Sequence, residues 1–279
     1  MCLELKNMAT FGIAGNFTGH LEQAGEAKNF LSVKSNKNAP KTIFPTYIPS
    51  KSDEIPMFLK EFPFSSEKIV FPKNEQNLQI EPECAIICEI EYKNEKVFSI
   101  SPIYFAASND CSIRKEGNVF ISTKKNWGKN SKGLSNQLIK IDRFEPGGIL
   151  DDYRIASFLQ RDKELFEYGE DCAVTGYSYF YRTLIDWCIE KFNTQTNSVP
   201  EENILFYLKK ANFPNHIMIS VGATRYTDFG IKNYLRSGDS SIVVLYPQSK
   251  YNKDAVIKMI KNNDFSKSDI SVLKQKVIL

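Results

Sequence analysis

The chain has 279 residues, 42% of them hydrophobic and 25% charged, which is the composition of a folded globular protein with a sizeable core. Its 36 basic and 33 acidic residues give a formal net charge of +3, which is too balanced to indicate a nucleic-acid or acidic-membrane partner. No run of about 18 apolar residues occurs, which argues against a membrane-spanning helix. We therefore expect a small-molecule partner, no nucleic acid and no membrane.

The first residues and the cysteines together predict a cellular compartment. A charged residue stands on each side of Leu5 and no apolar run follows, so the N-terminus lacks the pattern of a secretory signal. Six cysteines in such a chain are expected to be reduced and mostly buried, and no Cys-x-x-Cys or Cys-x-x-His pair offers a zinc site. These features predict a cytoplasmic protein without a disulfide framework.

The first sixty residues contain few regular elements. A glycine-rich stretch over residues 10–26 leads into a predicted short helix over residues 20–30, and its glycines lack the spacing of a nucleotide-binding loop. His20, one of two histidines, is either a general base or a structural hydrogen-bonding residue. Residues 34–56 hold four prolines and no sustained period, which predicts a surface excursion from a single domain over residues 1–279.

A hairpin is predicted next, and it carries the most specific local feature of the chain. Residues 78–92 are rich in apolar and β-branched side chains, residues 93–95 give a turn, and residues 97–100 can return as a strand. Glu81 and Glu83 lie two residues apart, so a strand points both carboxylates to one face. They repel each other unless a proton or cation intervenes, and oxygen ligands suit Mg²⁺, Mn²⁺ or Ca²⁺. A solvated strand face is the alternative.

Two later segments could add chemistry to this pair. Asp110 follows the apolar run 103–107 and could complete a site of three carboxylates, or it could form an ordinary Asx turn. Residues 124–133 hold four lysines and one tryptophan, a composition that could bind phosphate, a carboxylate or single-stranded nucleic acid. A solvated loop is the other interpretation of this basic segment.

The remaining patterns favour a β-rich α+β fold. Short β-rich runs occupy residues 137–144, 218–221 and 241–246, and helical periodicity is clearest over residues 177–192 and 201–211. Strands and helices do not alternate regularly, which disfavours a doubly wound parallel sheet. We expect mixed sheets and a few flanking helices.

Taken in order, five segments resemble motifs of the fumarylacetoacetate hydrolase (FAH) superfamily. The superfamily shows Asn-Tyr-x-x-His, Glu-x-Glu-Leu-Ala-x-x-Ile, Asn-Asp-x-Ser-x-Arg, Lys-Gly, and Gly-Thr-Pro-x-Gly followed by Leu-x-x-Gly-Asp. The matching segments here are residues 16–20, 81–87, 109–114, 132–133, and the pair 222–230 and 235–239. Ordered agreement of several weak motifs is more specific than any one of them. The chain as a whole resembles an uncharacterised bacterial branch, a domain of unknown function (DUF5718-like).

The resemblance implies a fold, a cofactor and an activity. It implies an FAH-like β-roll and a probable homodimer, with Mg²⁺ or Mn²⁺ held by Glu81, Glu83 and Asp110. The implied activity is that of a metal-dependent hydrolase or lyase acting on a small 2-oxo or β-diketo acid. The reaction would be C–C bond hydrolysis, decarboxylation or isomerisation through a metal-stabilised enolate.

The resemblance also assigns roles to individual residues. The catalytic residues it implies are His20, Glu22 and Lys132, and the substrate-binding residues are Asn109, Arg114, Gly222 and Thr224. This chain departs from the family pattern, because Gln23 stands where the helix usually places a glutamate, with Glu22 and Glu26 nearby. Ala223 replaces the usual threonine of the Gly-Thr-Pro loop. The alternative is therefore a non-catalytic metal- or metabolite-binding protein on the same fold.

Overall fold

A computed structural model describes residues 4–33, 35–36, 38–115 and 119–279. These residues form strands β1 (Ala9–Ala14), β2 (Thr42–Tyr47), β3 (Phe64–Ser65), β4 (Lys68–Val70), β5 (Leu78–Gln79), β6 (Pro82–Lys93), β7 (Lys96–Asn109), β8 (Ser112–Ile113), β9 (Lys132–Leu134), β10 (Ile139–Lys140), β11 (Tyr153–Arg161), β12 (Glu164–Ala173), β13 (His216–Ser220), β14 (Ser240–Pro247) and β15 (Ser271–Ile278). The helices are α1 (His20–Gln23), α2 (Met57–Lys60), α3 (Tyr181–Thr194), α4 (Ile204–Lys210), α5 (Asp228–Lys232) and α6 (Lys253–Asn262). Short 3₁₀ helices span Leu5–Asn7, Ala27–Phe30, Ile121–Lys124, Ile149–Asp152 and Val174–Gly176. The predicted β-rich α+β class is confirmed.

The long hairpin β6–β7 is the central element of the fold. Asn94 and Glu95 both adopt a positive φ, at 51° and 58°, and this tight turn returns the chain antiparallel to itself. The first half of β6 is buried on both faces, whereas the half next to the turn alternates between buried and exposed. The hairpin predicted from residues 78–100 is confirmed, and its second strand continues to Asn109.

Two mixed sheets are built around this hairpin. The larger sheet has the order β2-β1-β13-β6-β7-β9-β3, with β10 also paired to β7. Its pairs β1–β13 and β3–β9 are parallel and the others are antiparallel. The smaller sheet has the order β12-β11-β14-β15-β4, in which only β15–β4 is parallel. A further two-stranded pair joins β5 to β8.

One hydrophobic core joins the two sheets. It includes side chains of β6 and β7 from the larger sheet and of β11, β14 and β15 from the smaller one, and α3 packs against it with Leu184, Cys188 and Phe192. A separate cluster lies where α6 covers the smaller sheet with Val256 and Ile260. Since burial of apolar surface is the main driving force of folding, the sheets are stabilised together.

Two sequence-based expectations are corrected in the first sixty residues. The helix predicted over residues 20–30 ends as α1 at Gln23, because Gly25 adopts a φ of +70° and turns the chain before the 3₁₀ helix begins at Ala27. The prediction that residues 34–56 form a surface excursion is wrong for β2. All six residues of this strand are buried, and the strand pairs with β1. Lys34 and Lys37 lie outside the described residues.

The described part of the chain has neither a membrane-spanning helix nor a disulfide bond. None of its helices is long and apolar enough to cross a bilayer. Five of the cysteines are free thiols, and four of these, Cys84, Cys88, Cys111 and Cys188, are buried. Burial in apolar surroundings raises the pKa of Cys111 to about 12, which keeps that thiol protonated and unreactive. Cys2 lies outside the described residues.

Candidate active site

Three carboxylates meet at the end of the β6–β7 hairpin. Glu83 pairs with Ser108 in the hairpin register, which leaves Glu81 opposite Asp110. The Asp110 N–H donates to the Glu81 carbonyl oxygen at 3.1 Å and extends this pairing beyond the strands. One ligand oxygen from each of Glu81, Glu83 and Asp110 lies within 4.8 Å of the others, and all three side chains are buried. The structure thus brings together the residues predicted as metal ligands, which we call the carboxylate trio.

Glu81 is held between two basic side chains. Its Oε1 lies 2.6 Å from Arg114 Nη2 and its Oε2 lies 2.5 Å from Lys125 Nζ. Arg114 is fixed in turn, because its Nε donates to Gln79 Oε1 at 2.7 Å and its Nη2 to the Tyr226 hydroxyl at 2.9 Å. Burial alone would raise the pKa of Glu81, but Lys125 and Arg114 outweigh burial and hold this pKa well below its usual range. Glu81 is therefore ionised.

Glu83 has a different environment. Within the described residues no ion pair reaches it, and its Oε2 accepts a hydrogen bond from the Gly222 N–H at 2.9 Å. Burial, reinforced by the charges of Asp110 and Glu81, raises the pKa of Glu83 well above its usual value. Gly222 is required for this contact, since its φ is +118° and a Cβ there would lie 3.1 Å from the Asn16 Cβ.

Two buried lysines complete the charge balance. Lys125 Nζ lies 2.7 Å from Asp110 Oδ2, in addition to its contact with Glu81. Lys132 Nζ lies 2.8 Å from Asp110 Oδ1 and donates to the Cys111 carbonyl oxygen at 2.5 Å. Burial lowers the pKa of Lys132, whereas the carboxylates of Asp110 and Glu81 outweigh burial at Lys125 and raise its pKa. Asp110 is thus enclosed by two ammonium groups.

The trio has the chemistry of a site for a hard divalent cation. Its donors are all carboxylate oxygens, the ligands that Mg²⁺, Mn²⁺ and Ca²⁺ prefer. Asp110 Oδ2 accepts no hydrogen bond of ordinary geometry, although Lys125 Nζ is only 2.7 Å away. Glu83, unlike Asp110, has no basic partner among the described ion pairs. A metal ion would supply both missing interactions, so the acidic trio could hold one.

A small cavity lies against Glu81, whereas Glu83 and Asp110 are not among the residues that line it. It contains about 40 Å³ of space, enough for a few water molecules. Its polar lining is His20, Glu26, Glu81, Ser112, Arg114, Lys124 and Lys125, and its apolar lining is Ile13, Ala14, Gly15, Leu21, Phe30, Phe44, Ile121 and Ala223. The cavity therefore combines a charged wall with an apolar wall, as small-molecule sites do.

Glu26 lies at the outer edge of this cavity. Its carboxylate oxygens lie 2.7 Å from Lys124 Nζ and 3.6 Å from Arg114 Nη1. Glu26 and Arg114 also line a wider cleft that opens to solvent, together with Asn77 and Tyr234. This ion pair therefore separates the cavity from the surface cleft.

His20 is buried and lines the cavity. Its Nδ1 lies 2.8 Å from the Thr224 carbonyl oxygen, which can only accept, so Nδ1 carries the proton and Nε2 is the unprotonated nitrogen. Burial, together with Arg114 and Lys125 and against the opposing charge of Glu81, lowers the pKa of His20 to about 4. The imidazole is thus neutral near pH 7. The Thr224 Oγ1 is buried and has no hydrogen-bond partner among the residues that the structure describes.

The structure separates Glu22 from the other predicted catalytic residues. Glu22 is exposed and lines the outer cleft, because it follows His20 by two positions on α1 and points away from the cavity. Gln23 stands at the position where the superfamily usually has a glutamate, and its side-chain amide binds the Tyr226 backbone. Its Oε1 accepts from the Tyr226 N–H at 2.8 Å and its Nε2 donates to the Tyr226 carbonyl oxygen at 3.2 Å. Glu26 is the acidic residue that the turn at Gly25 returns to the cavity. The structure therefore places Glu22 outside the cavity, and its catalytic role remains a prediction.

Asn109 supports the trio from behind. It is fully buried and does not line the cavity; its Oδ1 accepts from the Glu81 N–H at 3.1 Å. Its amide nitrogen donates to Gln275 Oε1 at 3.1 Å and to Ser241 Oγ at 3.2 Å. These contacts position Glu81 and leave no free donor for a substrate, so the structure gives Asn109 a positioning contact in place of the predicted substrate contact.

Lys124, Lys125 and Glu26 were not assigned roles from the sequence. The two lysines belong to the predicted basic loop, but the 3₁₀ helix Ile121–Lys124 turns their side chains inward, so that they are only 4% and 6% exposed. The only indication of these two lysines in the sequence is the carboxylate trio, whose negative charges require nearby cations. Three of the four lysines of residues 124–132 are buried and Lys129 is exposed, so the solvated loop that the sequence also allowed does not describe this segment.

Comparisons with solved structures show the same fold in several enzymes. The structure of Cg1458 with inhibitor aligns with a TM-score of 0.56 at 15% identity over 97% of this chain and 76% of its own. 2-Keto-3-deoxy-D-arabinonate dehydratase complexed with magnesium and 2,5-dioxopentanoate gives 0.54 at 14% identity over 97% and 72%. 5-Carboxymethyl-2-hydroxymuconate delta-isomerase from Mycobacterium smegmatis gives 0.51 at 13% identity over 97% and 78%. At these identities the similarity shows the fold.

The family relationship is carried by the sequence itself. A comparison with curated proteins gives no match. The family of unknown function DUF5718 matches residues 26–277, which is most of the chain and includes the whole carboxylate trio. The structural neighbours share the fold that the sequence resemblance implies. The chain therefore belongs to the family of unknown function DUF5718 and has the fold of the fumarylacetoacetate hydrolase superfamily.

Proposed function

We propose that this protein is a divalent-metal-dependent enzyme that acts on a small 2-oxo or β-diketo acid. The carrying observation is the buried trio of Glu81, Glu83 and Asp110 beside a cavity lined by basic side chains. The reaction types we consider are C–C bond hydrolysis, decarboxylation and isomerisation. We propose Mg²⁺ or Mn²⁺ as the cofactor, because the donor set is all oxygen. The dehydratase structure named above, which holds magnesium and a dioxo acid on the same fold, supports this class of ligand.

The metal's contribution to the chemistry is limited to one effect. When bound, a divalent ion supplies Lewis-acid stabilisation of the negative charge that develops on substrate oxygens. Glu81, Glu83 and Asp110 would hold it, and Glu83 would lose its proton on doing so. Since Glu83 has no competing basic partner in the described ion pairs, it is the trio member that gains most from an added cation.

The basic residues would bind the carboxylate of the substrate. Arg114 and Lys124 both lie against Glu26, so a carboxylate is already accommodated at this position by a planar guanidinium and an ammonium group. A substrate carboxylate that takes the place of Glu26 would enter from the outer cleft and displace that side chain. The apolar wall, which includes Phe30 and Phe44, would exclude water from the remainder of the substrate.

His20 would accept a proton during the reaction. It is neutral near pH 7, and its Nδ1–H is committed to the Thr224 carbonyl, which leaves Nε2 as the basic atom of a ring that lines the cavity. Lys132 would hold Asp110 in position, because its ammonium group bridges the Asp110 carboxylate and the Cys111 carbonyl oxygen. Thr224, with an unpartnered hydroxyl, would hold the distal end of the substrate.

A second candidate is a metal- and metabolite-binding protein without turnover. It is favoured by Gln23, whose amide is used for structure at the position where the superfamily usually has a glutamate. In both candidates the trio binds metal and the basic wall binds an oxo acid. They differ in whether a bound acid is converted, which a spectrophotometric screen of 2-oxo and β-diketo acids in the presence of Mn²⁺ would decide.

The first test is thermal unfolding with EDTA, with Mg²⁺ or Mn²⁺, and with metal plus oxalate as an unreactive oxo-acid analogue. A ligand that binds only the native state at about 100 times its dissociation constant stabilises it by roughly 2.7 kcal/mol. We therefore expect each metal to raise the midpoint by several degrees and oxalate to raise it further only when metal is present.

Matched variants make this test specific. Glu83→Gln keeps the shape and removes the one trio carboxylate without a described ion pair, so it should fold normally and lose the metal-induced shift. Glu22→Gln, in the exposed outer cleft, should retain the full shift. Absence of a shift in the wild type, or an equal shift in Glu83→Gln, would show that the trio is not a metal site.

A further inference from the structure

Lys125 places a cation inside the carboxylate trio. Its Nζ lies 2.5 Å from Glu81 Oε2 and 2.7 Å from Asp110 Oδ2, so it bridges two of the three carboxylates that would ligate a metal ion. Its Nζ also lies 5.2 Å from the centre of the Phe44 ring, and the side chain lines the cavity. Lys125 therefore stands between the trio and the space where a substrate would bind.

The charges around the trio leave little electrostatic attraction for an additional cation while Lys125 is in this position. Two of the three carboxylates, Glu81 and Asp110, contact three basic side chains, which are Arg114, Lys125 and Lys132. A divalent ion placed among them would lie within a few ångströms of the Lys125 ammonium. Like charges this close together repel strongly in a buried site, where water screens them little. Metal and ammonium are therefore incompatible at the same oxygens.

The three cations are not equally able to leave. Arg114 is fixed by Gln79 and Tyr226, and Lys132 is fixed by the Cys111 carbonyl. Among the described residues, Lys125 has one further hydrogen-bond acceptor, the Asp110 carbonyl oxygen at 3.4 Å. It also has open space beside it in the cavity. Lys125 is thus the cation that would have to move.

We propose that Lys125 is a tethered cation that occupies the carboxylate trio and is displaced into the cavity when a divalent metal binds. This inference rests on the proposed function, because it assumes that the trio takes a metal. Lys125 would make the trio selective against weakly bound ions, and once displaced it would present its ammonium group to the anionic substrate. Nothing in the superfamily motifs found in the sequence includes Lys125, which lies outside all five segments.

The test is Mn²⁺ titration of the metal-free protein, followed through the electron paramagnetic resonance signal of free Mn²⁺. We expect Lys125→Met to bind Mn²⁺ at least roughly tenfold more tightly than the wild type, since it removes a competing charge from the ligands. Lys124→Met is the matched control. It removes a neighbouring buried lysine whose contact is Glu26, so its Mn²⁺ affinity should remain close to that of the wild type.

A crystal structure of the wild type with Mn²⁺ provides a second measurement that needs no variant to fold. We expect the anomalous peak among the three carboxylates and Lys125 Nζ beyond contact distance of Glu81 and Asp110. Equal Mn²⁺ affinity of wild type and Lys125→Met, or a bound ion with Lys125 unmoved, would overturn the role of Lys125 alone. Absence of Mn²⁺ binding in the wild type and both variants would overturn it together with the metal-dependent function.

Discussion

Glu202 is a buried carboxyl group that fixes the segment carrying the two cavity lysines. Its Oε1 accepts from Ser122 Oγ at 2.9 Å and from the Tyr207 hydroxyl at 3.1 Å. Ser122 belongs to the 3₁₀ helix that ends at Lys124. Burial raises the pKa of Glu202 to about 7, against the opposing effect of these hydrogen bonds. A residue far from the cavity in sequence thus positions the basic wall of the site.

The raised pKa of Glu202 makes a prediction about stability and pH. A group whose pKa is higher in the folded than in the unfolded protein stabilises the fold fully at low pH, and this contribution is lost as the pH rises through the folded value. The change from 4.5 to about 7 corresponds to roughly 3 kcal/mol, lost between about pH 4.5 and 7. We expect the free energy of unfolding of Glu202→Gln, taken relative to that of the wild type, to be higher at pH 8 than at pH 5 by an amount of this order. Urea unfolding of both proteins at the two pH values measures it, and an identical difference at both would contradict it.

Single residues were predictable where the signal was local. Glu81 and Glu83 could be paired from strand alternation alone, and Asp110 from its place after an apolar run. The pairing of Lys124 with Glu26 was not predictable, because it depends on a 3₁₀ helix and a glycine turn that bring together residues 98 positions apart. Sequence spacing specifies neighbours on one element but not the side chains that a distant loop adds.

At the scale of elements, β9 can pack closely against β15 because its residue 133 is a glycine and has no side chain. A Cβ on Gly133 would lie 2.3 Å from Gln275 Oε1 and 2.6 Å from Leu273 Cδ2. Gln275 is fully buried and donates to the carbonyl oxygens of Ser65 and Lys132, so it has little freedom to shift. The close approach places Lys132, the preceding residue, under the trio.

We therefore expect Gly133→Ala to destabilise the protein by about 1–3 kcal/mol, the range for overpacking a buried contact. Gly176→Ala is the control, because a Cβ there would meet only the Phe17 ring at 3.8 Å, an ordinary contact distance. Urea unfolding of both variants gives the comparison. If Gly133→Ala is as stable as the control, the β9–β15 contact is more adaptable than its distances indicate.

Elements were predicted well where periodicity was strong and poorly where tertiary contacts decided. The β6–β7 hairpin follows from its alternation and turn, and α3 follows from its apolar face, although it begins at Tyr181 and not at residue 177. Strand β2 was predicted as surface loop because Pro45 and its neighbouring lysines resemble a connection. It is buried through pairing with β1, which no local pattern in residues 34–56 indicates.

At the scale of the whole molecule, the site lies where the two sheets are hydrogen-bonded to each other. The Ala107 N–H in β7 donates to Ser271 Oγ in β15 at 2.9 Å, and Asn109 donates to Ser241 in β14 and Gln275 in β15.

The homodimer that the resemblance implies remains a prediction, which sedimentation equilibrium of the purified protein would measure.

These bridges, with the shared core, predict that the chain unfolds as one unit. The larger sheet cannot lose β7 without exposing the apolar faces of β11, β14 and β15, which pack in the same cluster. Calorimetry should therefore show one transition, with a calorimetric enthalpy equal to the van't Hoff enthalpy. Tryptophan fluorescence from Trp127 and Trp187 should change at the same midpoint as far-ultraviolet circular dichroism. Mn²⁺ should raise the midpoints seen by calorimetry, fluorescence and circular dichroism by the same amount. A chain of this length can also unfold in more than one step. Two resolved transitions would show that the two sheets are separately stable. A Mn²⁺ shift confined to one of those transitions would show that the trio depends on only one of the two sheets.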